Sequence, residues 1–134
     1  THTAVLMCDL DHFKIINDSH GHAIGDLVLK HFATILGNAL RKNDAVGRIG
    51  GEEFAVVLSG AGVAEATAFA LRVQQQIAET PLVAGDKTIS VTVSIGIAVM
   101  AATDASADAP LNRSDLALYR AKENGRNRIE VAFE

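Results

Sequence analysis

The stretch AVGRIGGEEFAVVL, Ala45–Leu58, decides how this chain folds. Ala45–Arg48 and Glu53–Leu58 read as two short strands, with Gly50-Gly51 as the turn between them. A reverse turn needs glycine, but it does not need two adjacent carboxylates. Neighbouring strand residues face opposite sides of a sheet, so Glu52 and Glu53 look different ways and only one can share a site with a given partner. One reading is a tight exposed hairpin with acidic decoration. The other is a turn whose glycines leave room, and free backbone N–H groups, for a bulky ligand.

Periodicity places the elements around this hairpin. Val5–Cys8 is a continuous apolar run, which suits a strand buried on both faces. Ile24, Val28, Phe32, Ile35, Leu36 and Leu40 recur at helical spacing, as do Ala66, Phe69, Ala70, Val73 and Ile77. Pro81 ends the second of these helices. Ile89, Val91, Val93, Ile95, Ile97 and Val99 alternate strictly and predict one long strand with one face on the core. Ala101–Pro110 reads as a loop, and Ser114 is placed to cap a last helix to Glu123, stopped by Gly125. Ile129–Phe133 reads as a final strand. The predicted fold class is α+β: a central, mostly antiparallel sheet with helices packed on it, related to the ferredoxin-like plan.

A chain of 134 residues suits one domain spanning residues 1–134. Its composition, 49% hydrophobic and 21% charged, is the balance of a soluble globular protein rather than a disordered one. A net charge of −4 argues against a nucleic-acid polymer as partner, though not against a nucleotide. No apolar run reaches the roughly 20 residues of a membrane span, and no segment reads as a secretory signal. Cys8 is the single cysteine and lies in an apolar stretch, so it reads as a small core residue. Together these fit a cytoplasmic domain without membrane contact of its own, leaving open an anchor elsewhere in a longer protein. The chain enters a strand almost at once from Thr1 and reads as a fragment of something longer.

Asp9 falls where the first strand ends, and a charge there is desolvated unless it finds a cation or donors. Asp11 precedes a short helical turn, His12 to Ile16, which it is placed to cap. Asp26 falls early in a helix, where a negative charge also suits the helix dipole. If the first strand lies beside the hairpin, Asp9 and one of the two glutamates converge on a cation, and sparse carboxylates suit Mg²⁺.

GGEEF at Gly50–Phe54, with DLDHFKIINDSHGHAIGD upstream at Asp9–Asp26 and YRAKENGRNRI at Tyr119–Ile129, resembles the GGDEF-domain diguanylate cyclases. The resemblance covers nearly the whole chain in order and spacing. It implies a nucleotidyl-cyclase-like fold and a reaction between two domains, each holding one GTP, that yields cyclic di-GMP and two pyrophosphates in a homodimer. By position it implies that Asp9, the backbone carbonyl of Leu10, and Glu53 hold Mg²⁺ or Mn²⁺. Glu52 falls near the attacking hydroxyl. Gly50 and Gly51 clear space for the nucleotide, and Asn17 and Asp26 read guanine. Phe13 and Lys14 line the phosphates, and Lys122 and Arg126 hold their outer end. Guanine offers N1–H and its 2-amino group as paired donors to one carboxylate, which adenine cannot match. Cations near a helix C-terminus also suit its dipole, a plainer role for Lys122 and Arg126.

RKND at Arg41–Asp44 stands at the spacing of the family's RxxD inhibitory site, with Arg72 in the place of an assisting arginine. The resemblance therefore implies feedback by bound cyclic di-GMP. The alternative is a non-catalytic domain that binds GTP or cyclic di-GMP and signals by contact.

Overall fold

The first strand, β1 (Thr3–Leu10), is the middle of a five-stranded sheet. Then follow α1 (Phe13–His20), α2 (His22–Ala39), β2 (Ala45–Gly50), β3 (Glu53–Ser59) and α3 (Val63–Glu79). A small hairpin, β4 (Leu82–Ala84) and β5 (Lys87–Ile89), precedes β6 (Val93–Val99), α4 (Asp108–Glu123) and β7 (Ile129–Val131). The computed structural model describes residues 2–132, so the expected strand residue Phe133 lies outside the described residues. The sheet order is β2-β3-β1-β6-β7, antiparallel except for the parallel β6–β7 pair. The chain is therefore α+β with a mostly antiparallel sheet, as its periodicity predicts.

Alternation sorts the side chains. Ala4, Leu6, Cys8 and Leu10 of β1 join Phe54, Val56 and Leu58 of β3 under Val28, Phe32 and Leu36 of α2 and Phe69 and Val73 of α3. Phe32 meets Phe54 edge to face at 5.3 Å between centroids, the favoured aromatic geometry. The opposite face carries Met7 and Ala55, covered by Leu118 of α4. Burial pushes the Cys8 thiol up to about 12, so it behaves as a small apolar side chain.

Four expectations need correction. The long strand over Ile89–Val99 is broken at Ser90–Thr92, where the chain leaves the β4–β5 hairpin for the main sheet. Both faces of β6 are buried, because its small residues Ser94, Gly96 and Ala98 form a floor for α4 rather than a solvent face. The last helix begins at Asp108, with Pro110 in its first turn, where a missing N–H costs nothing. Ser114 is therefore interior, and its hydroxyl donates to the Leu111 carbonyl at 2.8 Å. The hairpin turn is Gly51-Glu52, one residue later than expected. A bulge between Arg48 and Gly50 makes Gly50 the last rung, opposite Glu53.

The loop before α4 is tied down by a forked ion pair. Arg113 Nη1 and Nη2 donate to the two oxygens of Asp104 at 2.8 and 2.9 Å, and the Ala101 N–H donates at 2.6 Å. Arg113 hydrogen bonds hold the Asp104 carboxyl at about 2, below its ordinary 3.8. A depressed carboxylate stabilises the fold above its unfolded value and loses that contribution as pH falls through the folded one. Asp104→Asn should thus lower the melting temperature at neutral pH, with the gap to the parent closing between pH 3.8 and about 2. Melting curves across that range check it; a gap independent of pH would contradict it.

Candidate active site

β1 and β3 run antiparallel with Asp9 directly opposite Glu53. Cross-strand partners lie on the same face of a sheet, so register settles which hairpin glutamate faces Asp9. Asp9 is 5% exposed, and its Oδ2 accepts from Lys122 Nζ of α4 at 2.8 Å. Its Oδ1 is buried and accepts no hydrogen bond among the described residues. Burial pushes the Asp9 carboxyl up more than the Lys122 hydrogen bond and charge pull it down. Glu53 is pushed up as well, by burial first and then by the charges of Asp115 and Asp9. Asp115 stands two helical turns before Lys122 on α4, so it shares that helix's sheet-facing edge. The Leu10 N–H reaches the Glu52 carbonyl at 3.4 Å, which joins the end of β1 to the hairpin tip.

This is the setting a hard divalent cation fits. Two facing carboxylates repel, one buried oxygen lacks a partner, and a cation answers both. Among the described residues no group of three or more His, Cys, Asp or Glu is arranged to hold a metal ion. Mg²⁺ does not require one, since it keeps waters and takes one or two carboxylates together with phosphate oxygens.

A cleft of about 340 Å³ opens between α1, α2 and the hairpin tip; Glu52, the chain neighbour of Glu53, lines it, whereas Asp9, Glu53, Lys122 and Arg126 do not. Phe13, Lys14, Asn17 and Asp26 line one side, Gly51 and Glu52 the other. Gly25 explains how Asn17 gets there. A β-carbon at Gly25 would stand 1.8 Å from Asn17 Oδ1, so only glycine lets α2 pass that close to the amide. Lys14 sits at the rim, where it pairs with Asp18 at 3.0 Å. Gly50 does not line the cleft, since it is spent on the last rung of the hairpin.

The sequence reading missed Arg48 and His22, which also line the cleft. Arg48 Nε donates to the Gly51 carbonyl at 2.9 Å and so holds the tip. Asp11 caps nothing. His12 opens α1 in a left-handed conformation, and among the described residues no side chain caps that helix. The Asp11 carboxylate instead turns inward to Thr92 Oγ1 and Ser94 Oγ, both at 2.6 Å, and to the Asn127 N–H at 2.9 Å. Gly125, with φ 122, stops α4 as expected, and the following N–H of Arg126 donates back to Ala121 at 2.9 Å.

Arg41, Asp44 and Arg72 come together at a second cleft, of about 230 Å³, away from the hairpin tip. Asp44 accepts from the Arg41 N–H at 2.9 Å, Arg41 Nε at 3.3 Å and the Ser59 N–H at 3.0 Å. Arg41 Nη2 donates to the Ser59 carbonyl at 2.9 Å. Burial pushes the Asp44 carboxyl up, but these hydrogen bonds and the Arg41 charge outweigh it and hold the group low. Arg72 lies over the Phe69 ring, 5.8 Å from its centroid.

A mostly antiparallel sheet with helices on both faces and a facing carboxylate pair at the end of two central strands defines an α+β domain with an acidic site. Residues 1–128 match the family described as Diguanylate cyclase, GGDEF domain, and the chain belongs to that family. It is 41% identical over 129 residues to Diguanylate cyclase A of Treponema denticola, covering 96% of this chain and 35% of that protein. It is 38% identical over 128 residues to the response regulator PleD of Caulobacter vibrioides, covering 94% and 28%. The chain thus spans about a third or less of these relatives. Among solved structures it is similar to the GGDEF domain of DgcB from Caulobacter crescentus in complex with c-di-GMP. That likeness has a TM-score of 0.93 and 29% identity over 98% of this chain and 78% of that one. The active GGEEF domain of a diguanylate cyclase from Vibrio cholerae gives a TM-score of 0.91 and 34% identity, covering 100% and 85%.

Proposed function

We propose that this domain condenses two GTP into cyclic di-GMP and two pyrophosphates, with two copies facing each other. The observation that carries the reading is the Asp9–Glu53 pair, with its unpartnered buried oxygen, joined through the neighbouring Glu52 to the cleft of Asn17 and Asp26. Asp9, Glu53 and the Leu10 carbonyl would hold Mg²⁺ or Mn²⁺, which would supply charge neutralisation for the departing pyrophosphate. The 3′-hydroxyl oxygen of one GTP bonds to the α-phosphorus of the other as the bond to the β-phosphate bridge breaks. Glu52, at the tip, orients that hydroxyl and accepts its proton. Asn17 and Asp26 read the guanine, and Phe13 and Lys14 flank the phosphates. Gly51 lets the nucleotide approach the turn closely, with Gly50 setting the bulge beneath it. Lys122, paired with Asp9 in the nucleotide-free domain, and Arg126 would hold the outer phosphates.

Phosphoryl transfer draws most of its rate from positioning and charge neutralisation, which this frame supplies. One domain holds only one substrate, so turnover needs a homodimer. The relatives' greater length fits a further region that brings two such domains together in the cytoplasm. A test is to fuse the domain to a dimerising coiled coil, add GTP and Mg²⁺, and separate the products. Cyclic di-GMP with two pyrophosphates per product supports the reading. GTP binding without turnover would assign the chain to the contact-signalling class instead.

The Arg41–Asp44–Arg72 cleft is proposed as the site of feedback by cyclic di-GMP. Arg41 trades its internal partners for a phosphate or a guanine edge, which its fork fits equally well. Arg41→Ala should retain cyclase activity and lose at least about tenfold in sensitivity to added product, the worth of one charge-assisted contact. Inhibition curves check it, and unchanged sensitivity would sink the assignment.

A further inference from the structure

We propose that Asp11 and Gln74 are positioning residues for Arg126. They clamp the turn after α4 from two sides and so set where the Arg126 guanidinium points. This rests on the reading of Arg126 as a phosphate contact.

Arg126 and Asn127 have φ angles of 65° and 47°, two successive non-glycine residues in the left-handed region. L-residues avoid that region because the β-carbon crowds the following carbonyl. Such a conformation persists only where its surroundings over-determine it, and it clusters at functional sites. Here the surroundings come from far along the chain. The Asn127 N–H donates to Asp11 Oδ2 at 2.9 Å. Gln74 Nε2 donates to the Asn127 carbonyl at 2.8 Å and to its Oδ1 at 3.1 Å. The Ile95 N–H then takes up the Arg128 carbonyl at 3.0 Å, where β7 begins.

Asp11 is itself fixed. It is 3% exposed, its own N–H donates to the Thr92 carbonyl at 2.9 Å, and Thr92 and Ser94 hydroxyls occupy its carboxylate. Asp11 stands two residues beyond Asp9, past the end of β1. One short segment thus delivers a carboxylate to the cation site and, two residues on, a second that sets the turn carrying Arg126. Gln74 closes the clamp from α3, the helix that also carries Arg72.

The test is a set of titrations in Mg²⁺ with 3′-deoxy-GTP, which cannot react, and with GMP. The proteins are the parent, Arg126→Ala, Asp11→Asn, Gln74→Ala and each clamp variant combined with Arg126→Ala. Each clamp variant should weaken 3′-deoxy-GTP about tenfold and leave GMP unchanged, with no further loss where Arg126 is already alanine. Gln74 is only half-buried, so Gln74→Ala carries the same test if Asp11→Asn fails to fold. Equal losses for both nucleotides, or losses additive with Arg126→Ala, would overturn the positioning role as a mere effect on folding. A weakened Arg126→Ala beside unaffected clamp variants overturns it while the phosphate reading stands. Unchanged 3′-deoxy-GTP affinity in Arg126→Ala overturns that reading and the positioning role with it.

Discussion

Asp9→Asn is expected to abolish cyclic di-GMP formation while raising the melting temperature of the nucleotide-free domain. The two effects have one cause. Asp9 is buried, faces Glu53 across the ladder, and keeps one oxygen without a partner. Burial raises its carboxyl despite Lys122 at 2.8 Å, so ionising it costs the folded state more than the ion pair returns. A carboxyl raised on folding contributes most below its unfolded value, and that contribution is lost as pH rises through the folded value. The stability gain of Asp9→Asn should therefore be present at neutral pH and vanish in acid. Loss of the cation site should lower turnover by roughly 10³-fold or more, since charge stabilisation supplies most of the barrier reduction. Melting curves and product assays on the same preparation check both arms. A variant that is less stable at neutral pH, or that still turns over at the parent rate, would contradict this account of Asp9.

Gly96→Ala is expected to remove much of the fold's stability, although it adds one methyl group. A β-carbon there would stand 2.1 Å from the Ser114 carbonyl oxygen and 2.3 Å from the Leu118 nitrogen. Both are backbone atoms in the body of α4 and cannot rotate away. The helix must lift from β6, which also opens the contact of Leu118 with Met7 and Ala55. Overpacking of this kind costs about 3 kcal/mol, a large part of the 5–15 kcal/mol of a typical domain. Chemical denaturation should show the midpoint falling with an unchanged slope. Lys122 rides on the same helix, so residual folded protein should also bind nucleotide poorly. An unchanged midpoint would show that α4 does not pack at Gly96 as described.

Strand and helix periodicity carried the main frame, because α2 and α3 bury one regular stripe each and the apolar run of β1 is buried on both faces. The same signal misled at β6. Its small residues look like a solvent-facing row, yet small side chains are also what a closely packed helix requires, and alternation alone cannot separate the two. The break at Ser90–Thr92 had no local mark, since Thr92 is drawn to Asp11 from across the chain. Asp11 looked like a cap for the same reason. Its partners Thr92, Ser94 and Asn127 are 81, 83 and 116 residues away, and no short motif announces them. The site was more legible. Side-chain parity separated Glu52 from Glu53, and the ladder supplied the one missing fact, that Glu53 stands opposite Asp9. Asp115 stayed hidden because its bearing on Glu53 depends on how α4 lies across the sheet.

The most direct measurement is the position of the cation. Crystals of the domain grown with Mn²⁺ and 3′-deoxy-GTP would be read by anomalous scattering at the manganese edge. A peak is expected between Asp9 and Glu53, within coordination distance of a carboxylate oxygen of each, with Lys122 swung from Asp9 to the phosphates. A peak that misses both carboxylates, or a nucleotide bound with Lys122 still on Asp9 and no cation between the strands, would contradict it.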